Sequence, residues 1–206
     1  MLFEKKEYKE RLKKVKDLMQ KQDIDLLVSH DPANMNYLTG YDAWSFYYAQ
    51  CVLVHVNEDE PICFLRAQDV GGGYIKTYIQ HKNIIAYDEK YIHTWPLHPY
   101  QYLVEIIKQR KWDNSKIGLE MDSHYFTAFC YETIKAGLPN AKIKDASYIL
   151  NDILKYIKSG GLIRKHLKYN YYNNRLNKID FLTEDIQNIM KEIRYYIELN
   201  EFADVV

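Results

Sequence analysis

Six aromatic residues lie within residues 34–50, "NMNYLTGYDAWSFYYAQ", between a turn signal and a predicted strand. They are Tyr37, Tyr41, Trp44, Phe46, Tyr47 and Tyr48. The faces of such rings attract cations by about 0.5–2 kcal/mol, and the rings also bury large apolar areas. The cluster therefore predicts either part of a small-molecule site or a packed region of the core.

A single arginine stands at the end of a second chemically suggestive stretch, "PICFLR". Arg66 follows an apolar run that predicts a strand, so its guanidinium can face a carboxylate at the strand end. The alternative is a helix-capping arginine or one that is ion-paired with nearby Asp69. The sequence leaves both interpretations open.

Acidic residues and a histidine alternate in "GLEMDSHY", as Glu120, Asp122 and His124. An extended chain would point all three to one side, where carboxylates and an imidazole can hold a metal. The predicted strand ends near Glu120, however, and Asp122 or Ser123 is a typical helix N-cap. We therefore expect a cap rather than a metal site.

Two other motifs carry little chemistry. His93 and His98 flank a proline-containing loop and predict surface or turn histidines, with a loop acid or base as the alternative. A dinucleotide fingerprint starting at Gly71 would need a third glycine where Lys76 stands, so close packing or a helix entry is favoured for the triple glycine. No Ser/His/Asp order or HExxH motif is present. The sequence therefore predicts no catalytic constellation.

The composition is that of an ordinary globular protein. The 206 residues include 28 Lys and Arg against 28 Asp and Glu, which gives no sign of a nucleic-acid or anionic-membrane partner. Three scattered cysteines fit a reducing compartment, and no apolar run reaches the length of a membrane span. With no secretory signal visible at the start, we expect a cytoplasmic location.

Hydrophobic periodicity predicts alternating strands and helices, and hence an α/β fold with helices over a mixed sheet. The predicted strands are 24–29, 50–56, 61–66, 83–87, 116–120 and 141–146, with the second and third forming a hairpin. The predicted helices are 3–22, 68–80, 98–110, 124–136 and 148–158.

The character of the sequence changes near residue 160, where we place a domain boundary. Residues 161–206 form a divergent, Asn- and Tyr-rich tail, predicted to be partly helical. Ile186, Ile189, Met190, Ile193 and Ile197 are spaced as one helical face in this tail.

Several segments together resemble one family. "EYKERLKKVKDLM", "DIDLLVSHDPANMNYLTGY", "KIGLEMD", "LPNAKIKDA" and "YIKS" follow the pattern of the N-terminal domain of the creatinase, aminopeptidase P and prolidase (pita-bread, M24) family. The resemblance runs from about residue 3 to residue 159. "DAWSFY" and the "HP" that opens a helix are most similar to the ectoine hydrolase branch. The resemblance implies a mixed sheet flanked by helices, in a ribonuclease H-like arrangement.

Members of this family carry their chemistry in a second, pita-bread domain. That domain holds two Asp, one His and two Glu as ligands of a dinuclear metal site, or a catalytic histidine in metal-free relatives. None of its motifs occurs in residues 160–206. We therefore expect a truncated, non-catalytic chain that binds no cofactor itself. Its expected partner is a second copy of the chain, as in a homodimer, or a pita-bread catalytic domain.

The resemblance also assigns a role to the aromatic stretch. In creatinase-like dimers the corresponding loop reaches the neighbouring subunit's active site and presents a Phe and an Arg. Here these positions hold Phe46 and Tyr48, so recognition of a creatine-like carboxylate is in doubt. If the chain is extended, Trp44, Phe46 and Tyr48 line one side and suit a small cationic ring such as a cyclic amidine. Core packing of these three rings is the alternative.

The predicted function is thus a substrate-shaping and dimer-forming domain of an ectoine hydrolase-like or Xaa-Pro peptidase-like enzyme. Its predicted substrate-contacting residues, which act in a partner's site, are Trp44, Phe46, Tyr48 and Arg66. The alternatives are a stand-alone protein-interaction module and an Xaa-Pro dipeptidase-like hydrolase that is active only with a partner.

Overall fold

A computed structural model describes residues 3–42 and 45–150 of the chain, without the side chain of Phe46. The chain divides into two compact units, Met1–Leu154 and Lys155–Val206. The second unit lies outside the described residues. So do Trp44 and the predicted tail, 161–206, with its apolar stripe.

The first unit contains a mixed, six-stranded sheet, which confirms the predicted fold class. The strands are β1 (Leu26–Ser29), β2 (Cys51–His55), β3 (Ile62–Arg66), β4 (Ile84–Tyr87), β5 (Lys116–Leu119) and β6 (Lys142–Asp145). Their order across the sheet is β4-β3-β2-β1-β5-β6. Only β2 runs antiparallel to its neighbours, and β1, β3, β4, β5 and β6 share one direction.

Five α-helices in the described residues cover the sheet: α1 (Lys5–Lys21), α2 (Pro32–Thr39), α3 (Val70–Lys76), α4 (Pro99–Gln109) and α5 (Ala128–Gly137). Helices α4 and α5 bury Leu103, Ile107 and Ile134 in one cluster with Val28 and Phe64 of the sheet. Side chains alternate along each strand, so the intervening residues face the other side, where α3 packs against β3 and β4. No described helix is both long and apolar enough to span a membrane.

Helix α2 is the largest departure from the prediction, which treated Asp31-Pro32 as a turn. Asp31 is instead the N-cap, and its carboxylate accepts a hydrogen bond of 2.8 Å from the Ala33 amide. Pro32 takes the first helical position, where its missing N–H costs nothing. Gly40 ends the helix at φ 81°, a conformation that favours glycine.

Two other helices differ in their bounds. Helix α5 begins four residues later than predicted, because Thr127 rather than Asp122 or Ser123 is its N-cap. Helix α3 contains the triple glycine and ends at Lys76. The glycines are not equivalent: a Cβ on Gly73 would lie 3.0 Å from both Ile84 and Leu65, whereas a Cβ on Gly71 meets nothing within 4 Å. The predicted close packing therefore applies to Gly73.

We expect Gly118→Ala to lower the free energy of unfolding by about 1–3 kcal/mol through overpacking. A Cβ at this position in β5 would lie 2.8 Å from the Ala146 Cβ and 2.9 Å from Ile24. The control is Gly71→Ala, which fills open space on a helix and should raise the free energy by about 0.5–1 kcal/mol. Urea unfolding of both variants checks the pair, and equal shifts would contradict it.

Candidate functional site

The predicted site residues lie along one edge of the sheet. We define the carboxyl edge as the side where the five parallel strands end and β2 begins. Arg66 is the last residue of β3, and Tyr48 lies three residues before β2. Side chains at this edge of an open α/β sheet commonly bind ligands.

The structure brings Arg66 and Tyr48 into direct contact. The guanidinium Cζ lies 4.1 Å from the centre of the Tyr48 ring. Arg66 Nε donates to both Glu89 carboxylate oxygens at 2.9 and 3.0 Å, and Nη2 donates to Oε2 at 2.6 Å. Hydrogen bonding between the two groups raises the pKa of Arg66 and lowers that of Glu89. The alternative interpretation, an ion pair of Arg66 with Asp69, is therefore wrong in its partner, which is Glu89.

The segment before β2 is a turn rather than an extended chain. Ser45–Tyr47 form one 3₁₀ turn, closed by a hydrogen bond of 2.9 Å from the Tyr48 amide to the Ser45 carbonyl. The expected extended alternation of the three aromatics is thus wrong over this turn. Tyr48 is half-buried, and the Tyr47 ring is 69% exposed. Trp44 and the side chain of Phe46 lie outside the described residues, so their contact with a substrate stays a prediction.

Glu120 is buried and accepts four hydrogen bonds. Its Oε1 accepts hydrogen bonds from Ser29 Oγ at 2.7 Å and Asn34 Nδ2 at 2.9 Å. Its Oε2 accepts them from the backbone amides of His30 at 2.6 Å and Asp31 at 3.0 Å. Burial raises the pKa of this carboxyl, and the four donors oppose that rise. The carboxylate joins the ends of β1 and β5 to the first turn of α2.

Glu120, Asp122 and His124, which alternate in the sequence, do not share one environment in the structure. Asp122 and His124 are exposed, whereas Glu120 points inward. No group of three or more His, Cys, Asp or Glu suited to a metal occurs in the described part of the chain. An open cleft of about 280 Å³ borders Glu120, and its lining includes Asp31, Asn34, Asp122 and Ser147.

His30 is fully buried between aromatic rings. Its ring centre lies 4.2 Å from that of Phe126 and 5.8 Å from that of Tyr100. Neither ring nitrogen has a hydrogen-bond partner among the described residues. Burial lowers the pKa of His30 to about 3, so the imidazole is neutral in the folded protein at neutral pH.

His98 is the N-cap of helix α4, which gives one of the two loop histidines a structural role. Its Nδ1 accepts a hydrogen bond of 3.1 Å from the Tyr100 amide, and its own amide donates to Gln101 Oε1 at 3.3 Å. Burial lowers the pKa of His98. His93 is exposed, in agreement with the surface interpretation.

An exposed aromatic surface lies beside this cap, and sequence analysis missed it. Trp95 is 82% exposed and stacks on Phe129 at 5.5 Å between ring centres. The loop that holds Trp95 leads into α4, and Phe129 lies in the first turn of α5, so both rings stand at the carboxyl edge. Met121 and Tyr125, which follow β5, are also partly exposed there. No sequence periodicity links two such distant segments.

Comparison with known proteins places this α/β domain in a family. The Creatinase/Prolidase N-terminal domain family matches residues 11–153. Ectoine hydrolase of Halomonas elongata is 40% identical over 150 residues, which cover 72% of this chain and 37% of that protein. The uncharacterized hydrolase/peptidase y4tM of Sinorhizobium fredii is 38% identical over 157 residues, covering 76% and 40%.

Solved structures show the same fold. A proline dipeptidase from Streptococcus pneumoniae superimposes with a TM-score of 0.56 at 18% identity, covering 69% of this chain and 96% of that one. The N-terminal domain of the cytoplasmic peptidase PepQ from Mycobacterium tuberculosis gives a TM-score of 0.53 at 17% identity, covering 70% and 98%. The chain therefore belongs to the creatinase/prolidase N-terminal domain family. It spans 37–40% of the length of the two curated relatives.

We expect Glu120→Gln to lower the free energy of unfolding by about 2–4 kcal/mol, because the amide's NH₂ would face donors in place of an acceptor. The control, Asp122→Asn, changes an exposed carboxylate on the same cleft and should shift stability by less than about 0.5 kcal/mol. Urea unfolding gives both values. Equal stability of wild type and Glu120→Gln would mean that the four hydrogen bonds add nothing net.

We expect His30 to make the fold sensitive to acid. Its folded pKa of about 3 lies below the ordinary value of 6.5. The stability due to neutral His30 is therefore complete above pH 6.5 and is lost as the pH falls toward about 3. From about pH 7 to about pH 4.5, wild type should lose about 2–3 kcal/mol more than His30→Phe. Parallel pH dependences of the two unfolding free energies would refute this account.

Proposed function

We propose that this domain forms one wall of a small-molecule hydrolase site and a dimerisation surface, and that a pita-bread catalytic domain completes the site. The observation that carries the proposal is the assembly of Tyr48, Arg66 and the exposed Tyr47 and Trp95 rings along the carboxyl edge. Aromatic rings and arginine are enriched at surfaces that bind partners and ligands. Kinship with ectoine hydrolase supports a hydrolase as the setting.

The side chains at the edge favour a binding role over a catalytic one. Glu120 accepts four hydrogen bonds, which leaves its oxygens engaged within the domain. His98 caps α4, and Arg66 is paired with Glu89. We therefore assign bond cleavage to the catalytic domain and substrate contact to Trp44, Phe46 and Tyr48. The residues of this domain do not determine whether the catalytic domain is metal-free or holds two metal ions.

We propose a small cationic ring compound, such as the ectoine named for the Halomonas relative, as the substrate. The exposed faces of Tyr47 and Trp95 can attract an amidinium. A dipeptide of the Xaa-Pro type is the alternative, since the solved structures include proline dipeptidases. Cytoplasmic location remains part of the proposal.

The test combines the full chain with Halomonas elongata ectoine hydrolase from which the matched N-terminal segment has been removed. The chain alone should not hydrolyse ectoine, whereas the mixture should. Tyr48→Ala should lower kcat/KM by about 3- to 30-fold, the range of one lost aromatic contact with a cation. Tyr74→Ala, at a tyrosine that is 42% exposed on α3, is the matched control and should leave kcat/KM unchanged.

Three outcomes separate the candidates. Hydrolysis by the chain alone would overturn the non-catalytic role. Turnover of an Xaa-Pro dipeptide, but not of ectoine, by the mixture would favour the peptidase alternative. If the two proteins do not associate and the chain self-associates through its exposed Trp95 and Phe129, a stand-alone interaction module becomes the better account.

A further inference from the structure

We infer that Arg66 is a positioning residue, which with Glu89 fixes the Tyr48 ring and the segment before β2, and does not bind a substrate carboxylate. This inference assigns a role within the proposed hydrolase site and in that respect rests on the proposed function. The contacts that carry it lie entirely within the described residues.

The position of the guanidinium is fixed by strand β3, which carries Arg66, and by the carboxylate of Glu89. Arg66 is the last residue of β3, and this strand is paired in parallel with β4. Glu89 follows β4 in a 3₁₀ turn, where the Gln68 backbone also hydrogen-bonds to its carboxylate. The bidentate contact of Nε and Nη2 with that carboxylate fixes the plane of the guanidinium.

The held guanidinium then fixes Tyr48. At 4.1 Å from the ring centre, Cζ lies within the distance of a cation–π contact. The side chain of Arg66 is only 15% exposed, so water weakens this contact less than at an open surface. Tyr47 lies 4.7 Å from Tyr48 and His93 lies 6.0 Å from it, measured between ring centres. The half-buried ring is therefore in contact with Arg66, Tyr47 and His93.

Two consequences separate positioning from substrate binding. The charge of Arg66 is balanced by Glu89, so a substrate carboxylate would meet an ion pair and not a free cation. One face of the Tyr48 ring is also covered by the guanidinium, so a cationic substrate must approach a different face or ring. Arg66 thus acts on the site through Tyr48.

The position of Tyr48 can be measured on the full chain without any substrate. Chymotrypsin cleaves after aromatic residues when a segment opens, and its rate then reports the open population. We expect Arg66→Met to accelerate cleavage within residues 45–50 by about 3- to 30-fold, the range of a lost cation–π contact. Arg66→Lys, which keeps the charge without the two-pronged geometry, should fall between Arg66→Met and wild type.

The matched control is Arg110→Met. Arg110 also lies over an aromatic ring, with Cζ 5.2 Å from the centre of Trp112, but it follows α4 at the opposite edge of the sheet. This variant should leave cleavage at residues 45–50 at the wild-type rate. Equal rates for Arg66→Met and Arg110→Met would overturn the inference.

A double-mutant cycle with Tyr48→Leu shows whether Arg66 acts through the ring. In that background Arg66→Met should change the cleavage rate less than twofold. An undiminished effect would overturn the inference. If Arg66→Met unfolds the chain, the cycle uses Arg66→Lys, and NMR of ring-labelled tyrosines reads the same coupling as a selective shift of the Tyr48 resonance.

Kinetics of the ectoine hydrolase mixture separate this inference from the proposed function. In the Tyr48→Leu background, Arg66→Met should leave KM unchanged if Arg66 is a positioning residue. If Arg66 binds the substrate, Arg66→Met should still raise KM in that background. If the mixture shows no hydrolysis, the proposed function fails while the proteolysis cycle still decides the role of Arg66. If hydrolysis occurs and the cycle shows no coupling, only the positioning role fails.

Discussion

The carboxyl edge depends on one buried carboxylate. Glu120 accepts hydrogen bonds from two backbone amides, a serine hydroxyl and an asparagine amide, all of which belong to β1, the chain entering α2 or the first turn of α2. A buried carboxylate is stable only when such donors replace its lost hydration. Since β1 and β5 are adjacent parallel strands, the same carboxylate fixes how both of them end.

That constraint propagates to the rest of the edge. Hydrogen bonds from Asp31 and Asn34 to Glu120 fix the first turn of α2. The aromatic segment that follows α2 therefore begins at a defined position. Gly40 then allows the sharp exit from the helix, and the 3₁₀ turn at Ser45–Tyr47 leads into β2. On the far side of β2, the end of β3 supplies the guanidinium that meets Tyr48. The strand order thus converts residues distant in sequence into neighbours.

Sequence patterns predicted the strands well because each strand is a short apolar run bounded by turn residues, as at Cys51–His55 and Ile62–Arg66. They identified only some of the residues that meet at the carboxyl edge. Arg66 was identified from its place at a strand end, but Glu89 and the Trp95 and Phe129 pair depend on contacts across the fold. Helix α2 was missed because Asp-Pro signals a turn and a helix start equally well. Local sequence does not distinguish these outcomes.

The buried and exposed polar groups of the edge divide according to their task. Glu120 and His30 are buried, and burial raises the pKa of the Glu120 carboxyl and lowers that of His30, so both affect the stability of the edge. Tyr47 and Trp95 are exposed at the same edge. This division fits the proposed role, in which the edge lines a site that another domain completes. The Arg66–Glu89 pair connects the sheet with the aromatic segment, since Arg66 ends β3 and its guanidinium contacts the ring of Tyr48.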